Sequence, residues 1–251
     1  MQVAVCVKRV PMVGGKIMVT ADGQDIDSKT SGFTVSPHEE CAVEEAVQIA
    51  GRLGGSVTVI TLGPPEAAEQ LRDMLALGAS RAVLLETDGR EWGPIATAAA
   101  IADAARDGGF DLLLFGNEAA DTGDYQVGVR VAHALGLPCV TGIKKLEISA
   151  AADSATARRD YAGSEEAFGI PLPAVVTVKE GINLPRYPSL PGRLRAKRAP
   201  IERLAPRWQP EGLRKELLRV PAAAKKRAQV LGNGADAVPA LVTLLDELGV
   251  L

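Results

Sequence analysis

Aromatic side chains are scarce in this chain: Phe, Trp and Tyr make up 4% of 251 residues, so alanine, valine and leucine must fill the interior. Cysteine is scarce too. Cys6, Cys41 and Cys139 stand far apart with no C-x-x-C pair, which excludes a zinc ribbon or disulfide framework and points to a reducing cytoplasm. Two histidines, His38 and His133, are too few for a metal centre, and surface or packing roles are expected of them. No apolar run approaches the roughly 18 residues of a membrane span, and no signal peptide precedes the first strand. A cytoplasmic protein without membrane insertion is expected. A P-loop is excluded, because Gly14-Gly15-Lys16 is followed by Ile17. No Ser–His–Asp set is indicated, and no paired carboxylates stand where acid–base chemistry is demanded. A ligand or electron carrier is therefore expected rather than a self-contained enzyme.

What is present is a hydrophobic fraction of 47%, enough for one large core or two modest ones. Buried-strand patterns at residues 2–7, 57–62, 82–86 and 110–115 alternate with helix-period patterns. The first helix has a sharp start in Ser36-Pro37-His38-Glu39, with Ser as N-cap, Pro at the first position and Glu at the third. Residues 12–35 read as a surface hairpin around Asp22-Gly23, with the alternation Lys16-Ile17-Met18-Val19 on one arm. Strands alternating with helices specify a three-layer α/β fold on a parallel sheet. After Pro138 the rhythm changes: residues 140–148, 156–161 and 174–179 are strand-like with no helix between them, which suggests antiparallel additions at a sheet edge.

Charge is divided unevenly. The chain carries a net −3, with about −10 in residues 1–180 and about +7 in residues 181–251. The basic part holds only Tyr187 and Trp208 for base stacking, so a protein partner is favoured over nucleic acid. Prolines recur there at 185, 188, 191, 200, 206, 210 and 221. The reading is an α/β nucleotide-binding domain over residues 1–195 and an extended C-terminal arm over 196–251, ending in one amphipathic helix at 240–248. Gly232-Asn233-Gly234-Ala235-Asp236-Ala237 imitates a dinucleotide fingerprint. It lacks the following strand and acidic residue, and reads as a turn and helix cap.

The stretch around which the chain is organised is 110–138. A buried strand leads into a loop at 116–123 without apolar residues larger than alanine, then into a helix marked by Val127, Val131, Ala134 and Leu135 and stopped by Gly136 and Pro138. Asp124 is the expected N-cap, leaving unpaired N–H groups near Tyr125, Gln126, Val127 and Gly128. The carboxyl end of a parallel strand is where α/β folds bind ligands, and a helix N-terminus suits a phosphate. Gly128 would leave the backbone room beside it. Asp121 and Asp124 are expected to cap backbone or hold a ribose.

Several motifs occur in an order similar to that of electron transfer flavoprotein β subunits. They are Val7-Lys8-Arg9-Val10-Pro11, Ser36-Pro37 with Glu40-x-Ala42-Val43-Glu44-Glu45-Ala46, the 121–128 loop, Pro173-Ala174-Val175-Val176-Thr177, and Pro185-Arg186-Tyr187-x-x-Leu190-Pro191. The resemblance covers nearly the whole chain, and the last two motifs are the most specific. It implies an adenine-nucleotide-binding, Rossmann-like fold with antiparallel edge strands. It also implies a heterodimer with an α subunit, an FAD held mainly by that subunit, and a structural AMP in this chain. Electrons would come from flavin-containing dehydrogenases and pass to a quinone reductase. The AMP phosphate would lie on residues 123–128, with Cys6, Val7, Lys8 and Arg9 and with Thr61 and Gly63 near the adenosine. Ser36 stands where the family usually has Asn. Leu190 matches an exposed leucine that plugs an apolar pocket on dehydrogenases, and Arg193, Arg195, Lys197 and Arg198 match its basic flank. Val13 stands where several members place an aromatic residue beside the flavin. The loop is also similar in part to the bifurcating branch, which binds a second FAD in place of AMP and carries Asp-Gly-Asp-Thr-Ala-Gln-Val-Gly; Tyr125 and the missing Thr depart from it. Two rivals fit less well. A stand-alone stress-type nucleotide-binding domain needs no basic arm, and an ATP-pyrophosphatase-type enzyme would carry a Ser-Gly-Gly-x-Asp-Ser loop after its first strand.

Overall fold

The computed structural model describes residues 1–12, 17–28, 32–88, 90, 92–210, 212–221 and 229–250. Val13 and Lys16 lie outside the described residues. The elements in order are β1 (Gln2–Cys6), β2 (Arg9–Pro11), β3 (Phe33–Val35), α1 (Pro37–Leu53), β4 (Ser56–Gly63), α2 (Ala68–Leu77), β5 (Arg81–Glu86), α3 (Pro94–Arg106), β6 (Leu112–Gly116), α4 (Val127–Leu135), β7 (Cys139–Ile143), β8 (Lys145–Ile148), β9 (Ser154–Tyr161), β10 (Ser164–Pro171), β11 (Ala174–Val178), α5 (Leu190–Arg198), β12 (Glu202–Leu204) and α6 (Val238–Glu247).

Seven parallel strands form the main sheet in the order β12-β5-β4-β1-β6-β11-β7. Its central strands β1, β6 and β11 read as nearly unbroken apolar runs because both faces are covered. On one face Val3, Val5, Leu112 and Leu114 meet Ala42, Ala46, Ile49 and Leu71 of α1 and α2. On the other, Ala4, Cys6, Leu113 and Phe115 meet Ala98, Ile101 and Val131 of α3 and α4. Small alanines on the helices let them approach closely despite the shortage of aromatics. The chain winds outward from β1 through β4 and β5, then returns to place β6 on the other side of β1. That reversal opens a crevice at the carboxyl ends of β1 and β6.

The α/β class and the expected start of α1 hold. The capping box at Ser36 and Glu39 is formed, and α1 ends against Gly54. The Asp22-Gly23 turn is present, with an antiparallel bridge between Val19 and Ile26 and with β2 paired to β3 at its base. Antiparallel strands do follow β7 at the sheet edge, but β8, β9 and β10 form a separate three-stranded sheet. Two strands are placed differently from expectation: β7 is a parallel edge strand of the main sheet, and β11 is no antiparallel edge addition but runs parallel between β6 and β7. The β11 run Ala-Val-Val-Thr-Val is buried at every position, as a central strand requires.

The C-terminal region also differs from a wholly extended arm. The compact unit comprises Met1–Leu218, and Arg219–Leu251 forms a second. Within the first, α5 packs on α2 and β12 extends the sheet beside β5. Ser189 caps α5 by accepting the Gly192 N–H at 3.1 Å, with a proline in the first turn. Gly192 is needed there, since a Cβ would lie 2.7 Å from the Ala76 carbonyl oxygen. Arg72 holds the other end of α5, donating to the carbonyls of Ala196 at 2.8 Å and Lys197 at 3.1 Å. Ion pairs Arg81–Glu202 and Arg203–Glu86 secure β12. In the second unit α6 leaves Val238, Leu241 and Val242 exposed.

Candidate functional site

The crevice gathers three segments. Lys8 follows β1, Ser36 opens α1, and the loop 117–126 follows β6. Glu39 joins the first two: its Oε2 accepts the N–H of Lys8 at 2.9 Å and that of Ser36 at 3.3 Å. Ser36 Oγ in turn accepts the Ala120 N–H at 3.0 Å, fastening the loop. Lys8 Nζ reaches Asp121 Oδ1 at 2.8 Å and Thr122 Oγ1 at 3.3 Å. Thr61 Oγ1 donates to the Val7 carbonyl at 2.8 Å, tying the ends of β1 and β4 together. Gly63 closes β4 and accepts the Thr87 N–H through its carbonyl at 2.9 Å. Cys6 and Val7 are buried, and burial raises the Cys6 thiol well above its ordinary pKa, with Glu39 adding to it, so it is no nucleophile.

Arg9 is not brought into the crevice. Its guanidinium lies 3.2 Å from the Phe33 ring centroid, across the β2–β3 pair. Only its backbone belongs to the turn.

The loop after β6 takes a different course from the expected cap. Helix α4 begins at Val127 with Gln126 as N-cap, and Asp124 caps nothing. The cause is backbone geometry: Gly123 has φ 59° and Tyr125 φ 57°, so the chain reverses twice before the helix starts. Asp121 does cap, accepting the Thr122 N–H at 2.9 Å as well as Lys8. A tyrosine in the left-handed region costs about 1–2 kcal/mol, and its hydroxyl is bonded to Glu118, which raises its pKa. Gln126 Oε1 accepts from Arg130 at 2.8 and 3.0 Å. Among the described residues no protein acceptor takes the N–H groups of Tyr125, Gln126, Val127, Gly128 or Val129. These unpaired donors at a helix N-terminus form a phosphate-compatible edge.

On its Cα side Gly128 faces protein. A Cβ there would lie 2.8 Å from Thr177 Cγ2 and 3.3 Å from Phe115 Cγ. Its missing side chain lets α4 press onto β6 and β11.

The same loop walls a cavity of about 470 Å³, lined by Ser36, Pro37, His38, residues 118–123 and Glu180. Its size is that of small-ligand and cofactor pockets. His38 Nδ1 is buried without a hydrogen bond and lies 4.0 Å from Glu118 Oε1. His38, Glu118 and Glu180 were not expected from the sequence as site residues. His38 follows directly on the Ser-Pro helix start, which was a usable signal, whereas Glu118 and Glu180 carry none.

A family model described as the electron transfer flavoprotein domain matches residues 26–207. The chain is 42% identical over 174 residues to the electron transfer flavoprotein subunit beta of Bacillus subtilis, covering 68% of this chain and 67% of that protein. It is 32% identical over 254 residues to the subunit beta of Bradyrhizobium diazoefficiens, covering 100% of each. The chain belongs to the electron transfer flavoprotein β-subunit family. A mitochondrial electron transfer flavoprotein subunit beta of Arabidopsis thaliana is also similar, at 31% identity over 94% of this chain. No helix among the described residues is long and apolar enough to cross a membrane. No group of three or more His, Cys, Asp or Glu among them could hold a metal ion.

A second surface lies around α5. Leu190 is 71% exposed at its first position, and Leu194 is exposed one turn on. Arg193, Arg195 and Lys197 are exposed along the same helix, and Arg195 and Lys197 complement its C-terminal dipole.

Proposed function

We propose that this chain is the β subunit of a heterodimeric, cytoplasmic electron transfer flavoprotein. With an α subunit it would hold FAD, accept electrons from flavin-containing dehydrogenases and deliver them to a quinone reductase. AMP would be bound structurally in this chain. The observation that carries the AMP reading is the run of unpaired N–H groups at residues 125–129, directly after the residues 118–123 that wall the cavity. The phosphate would take those donors, and the backbone of residues 6–9, with Thr61 and Gly63, would face the adenosine. FAD supplies the redox chemistry when bound; this chain's residues orient, enclose and exclude water. The exposed apolar residues of α6 support a C-terminal arm that wraps the α subunit.

Denaturing the purified heterodimer and separating the released nucleotides tests the site. One AMP and one FAD per heterodimer is the expected result. Two FAD without AMP would favour the bifurcating reading, which the sequence Gln126-Val127-Gly128 supports. Neither AMP nor a second FAD would mean that the loop is only a turn.

Leu190 supports the docking role. Burying such a side chain on a partner recovers about 1.5–3 kcal/mol. Leu190→Ala is therefore expected to weaken transfer from a native dehydrogenase donor by about tenfold or more, with FAD content unchanged. Equal rates for the variant and the parent would refute it.

A further inference from the structure

Leu190 does not stand alone. Leu184, Tyr187 and Leu190 recur at three-residue steps, each followed by a proline. Leu184 is 90% exposed and Tyr187 95% exposed. Beside them, at Asn183 and Arg186, the chain turns polar side chains inward onto α1. Asn183 Nδ2 donates to the Cys41 carbonyl and to Glu45 Oε2, each at 3.0 Å. Arg186 grips Glu44 with two parallel bonds, Nε to Oε2 at 2.8 Å and Nη2 to Oε1 at 2.9 Å, and its backbone N–H adds a third at 3.3 Å.

Glu44 is 3% exposed, and a buried carboxylate is costly unless its oxygens are fully engaged. Here they are: Gln48 Nε2 also donates to Oε1, at 2.8 Å. Burial acts to raise the Glu44 pKa, but the bonds from Arg186 and Gln48 outweigh it and hold the carboxyl below its ordinary value. A bidentate guanidinium–carboxylate pair fixes direction as well as distance. Such an anchor is unnecessary for a segment that only links β11 to α5. It makes sense if the segment must present its side chains in one pose.

We propose that Leu184, Tyr187 and Leu190 form a single docking strip, and that Glu44, through Arg186, and Glu45, through Asn183, are the positioning residues that hold it. The occupant is an apolar pocket with an acidic rim on a flavin dehydrogenase, since the strip runs straight into the cationic Arg193, Arg195, Lys197 and Arg198. This inference rests on the docking role of Leu190 stated above. A preorganised strip loses less entropy on binding than a loose one, so the clamp acts on affinity and not on the electron-transfer step.

The test uses the holo heterodimer as substrate for a native flavin dehydrogenase, with Leu190→Ala, Glu44→Gln and Tyr187→Ala compared with the parent. Glu44→Gln keeps volume and removes charge. It is expected to raise the KM for the flavoprotein at least fivefold, with kcat within twofold and FAD content unchanged. Trypsin should also cut the Arg186–Tyr187 bond at least fivefold faster. Tyr187→Ala, altered only at an exposed side chain, should raise KM about threefold or more, and it keeps the strip testable if Glu44→Gln does not fold. If Leu190→Ala raises KM while Glu44→Gln and Tyr187→Ala leave it unchanged, the strip and its clamp are overturned and docking through Leu190 stands. If Leu190→Ala changes nothing, the docking role falls and the clamp falls with it. A Glu44→Gln protein that loses FAD or kcat in place of affinity overturns the positioning role.

Discussion

Gly128→Ala is expected to destabilise the protein by about 1–3 kcal/mol, although glycine to alanine inside a helix ordinarily gains up to about 1 kcal/mol. The packing effect wins because the new methyl would stand 2.8 Å from Thr177 Cγ2 and 3.3 Å from Phe115 Cγ. Neither neighbour can retreat. Phe115 is buried in the core under α4, and the Thr177 hydroxyl is held between Asn117 Oδ1 at 2.7 Å and the Gly142 N–H at 2.9 Å. Gly128→Glu adds a buried, unpaired charge and should cost more still, with little folded protein recovered. Urea unfolding of the parent and the alanine variant decides it: a midpoint equal to or above the parent's would contradict the packing account. Nucleotide loss in the glutamate variant would then report unfolding of α4, not repulsion of a phosphate.

Unfolding at several pH values should isolate Glu39. Its burial pushes the carboxyl up to about 8, against the opposing pull of the N–H bonds from Lys8 and Ser36. The unfolded chain gives up that proton near pH 4.5, while the folded chain keeps it until about pH 8. The group's contribution to stability is therefore complete below pH 4.5, declines as pH rises through that window, and is gone above pH 8. In mid-window the slope approaches one proton, or about 1.4 kcal/mol per pH unit. Glu39→Gln does not titrate, and its amide oxygen can still accept both N–H groups. The stability difference between parent and variant should thus change steadily from pH 5 to 8. A constant difference over that range would refute it. Because Glu39 joins the β1 turn to the start of α1, rising pH should loosen the crevice first.

How far the site was legible depended on the range of each signal. The Ser36-Pro37 start and the Asp22-Gly23 turn are consequences of neighbouring residues and were readable directly. Helix α5 was obscured because prolines at 185, 188 and 191 suggested extended chain. Yet Pro191 occupies the first turn, where no N–H is needed. Asp124 failed as a cap because left-handed residues flank it on both sides, and positive φ at Tyr125 has no sequence signature. The backbone of Arg9 was expected near the adenosine; its side chain stacks on Phe33.

By itself the sequence determined the alternation of strands and helices, the caps that bound them and the family to which the chain belongs, because hydrophobic period and capping act over a few residues. Only the tertiary structure decided that β11 enters between β6 and β7, that Gly128 presses on Thr177, and that Glu44 grips Arg186. Those are contacts between segments far apart in the chain, and burial selects them through shape and charge that no local pattern encodes.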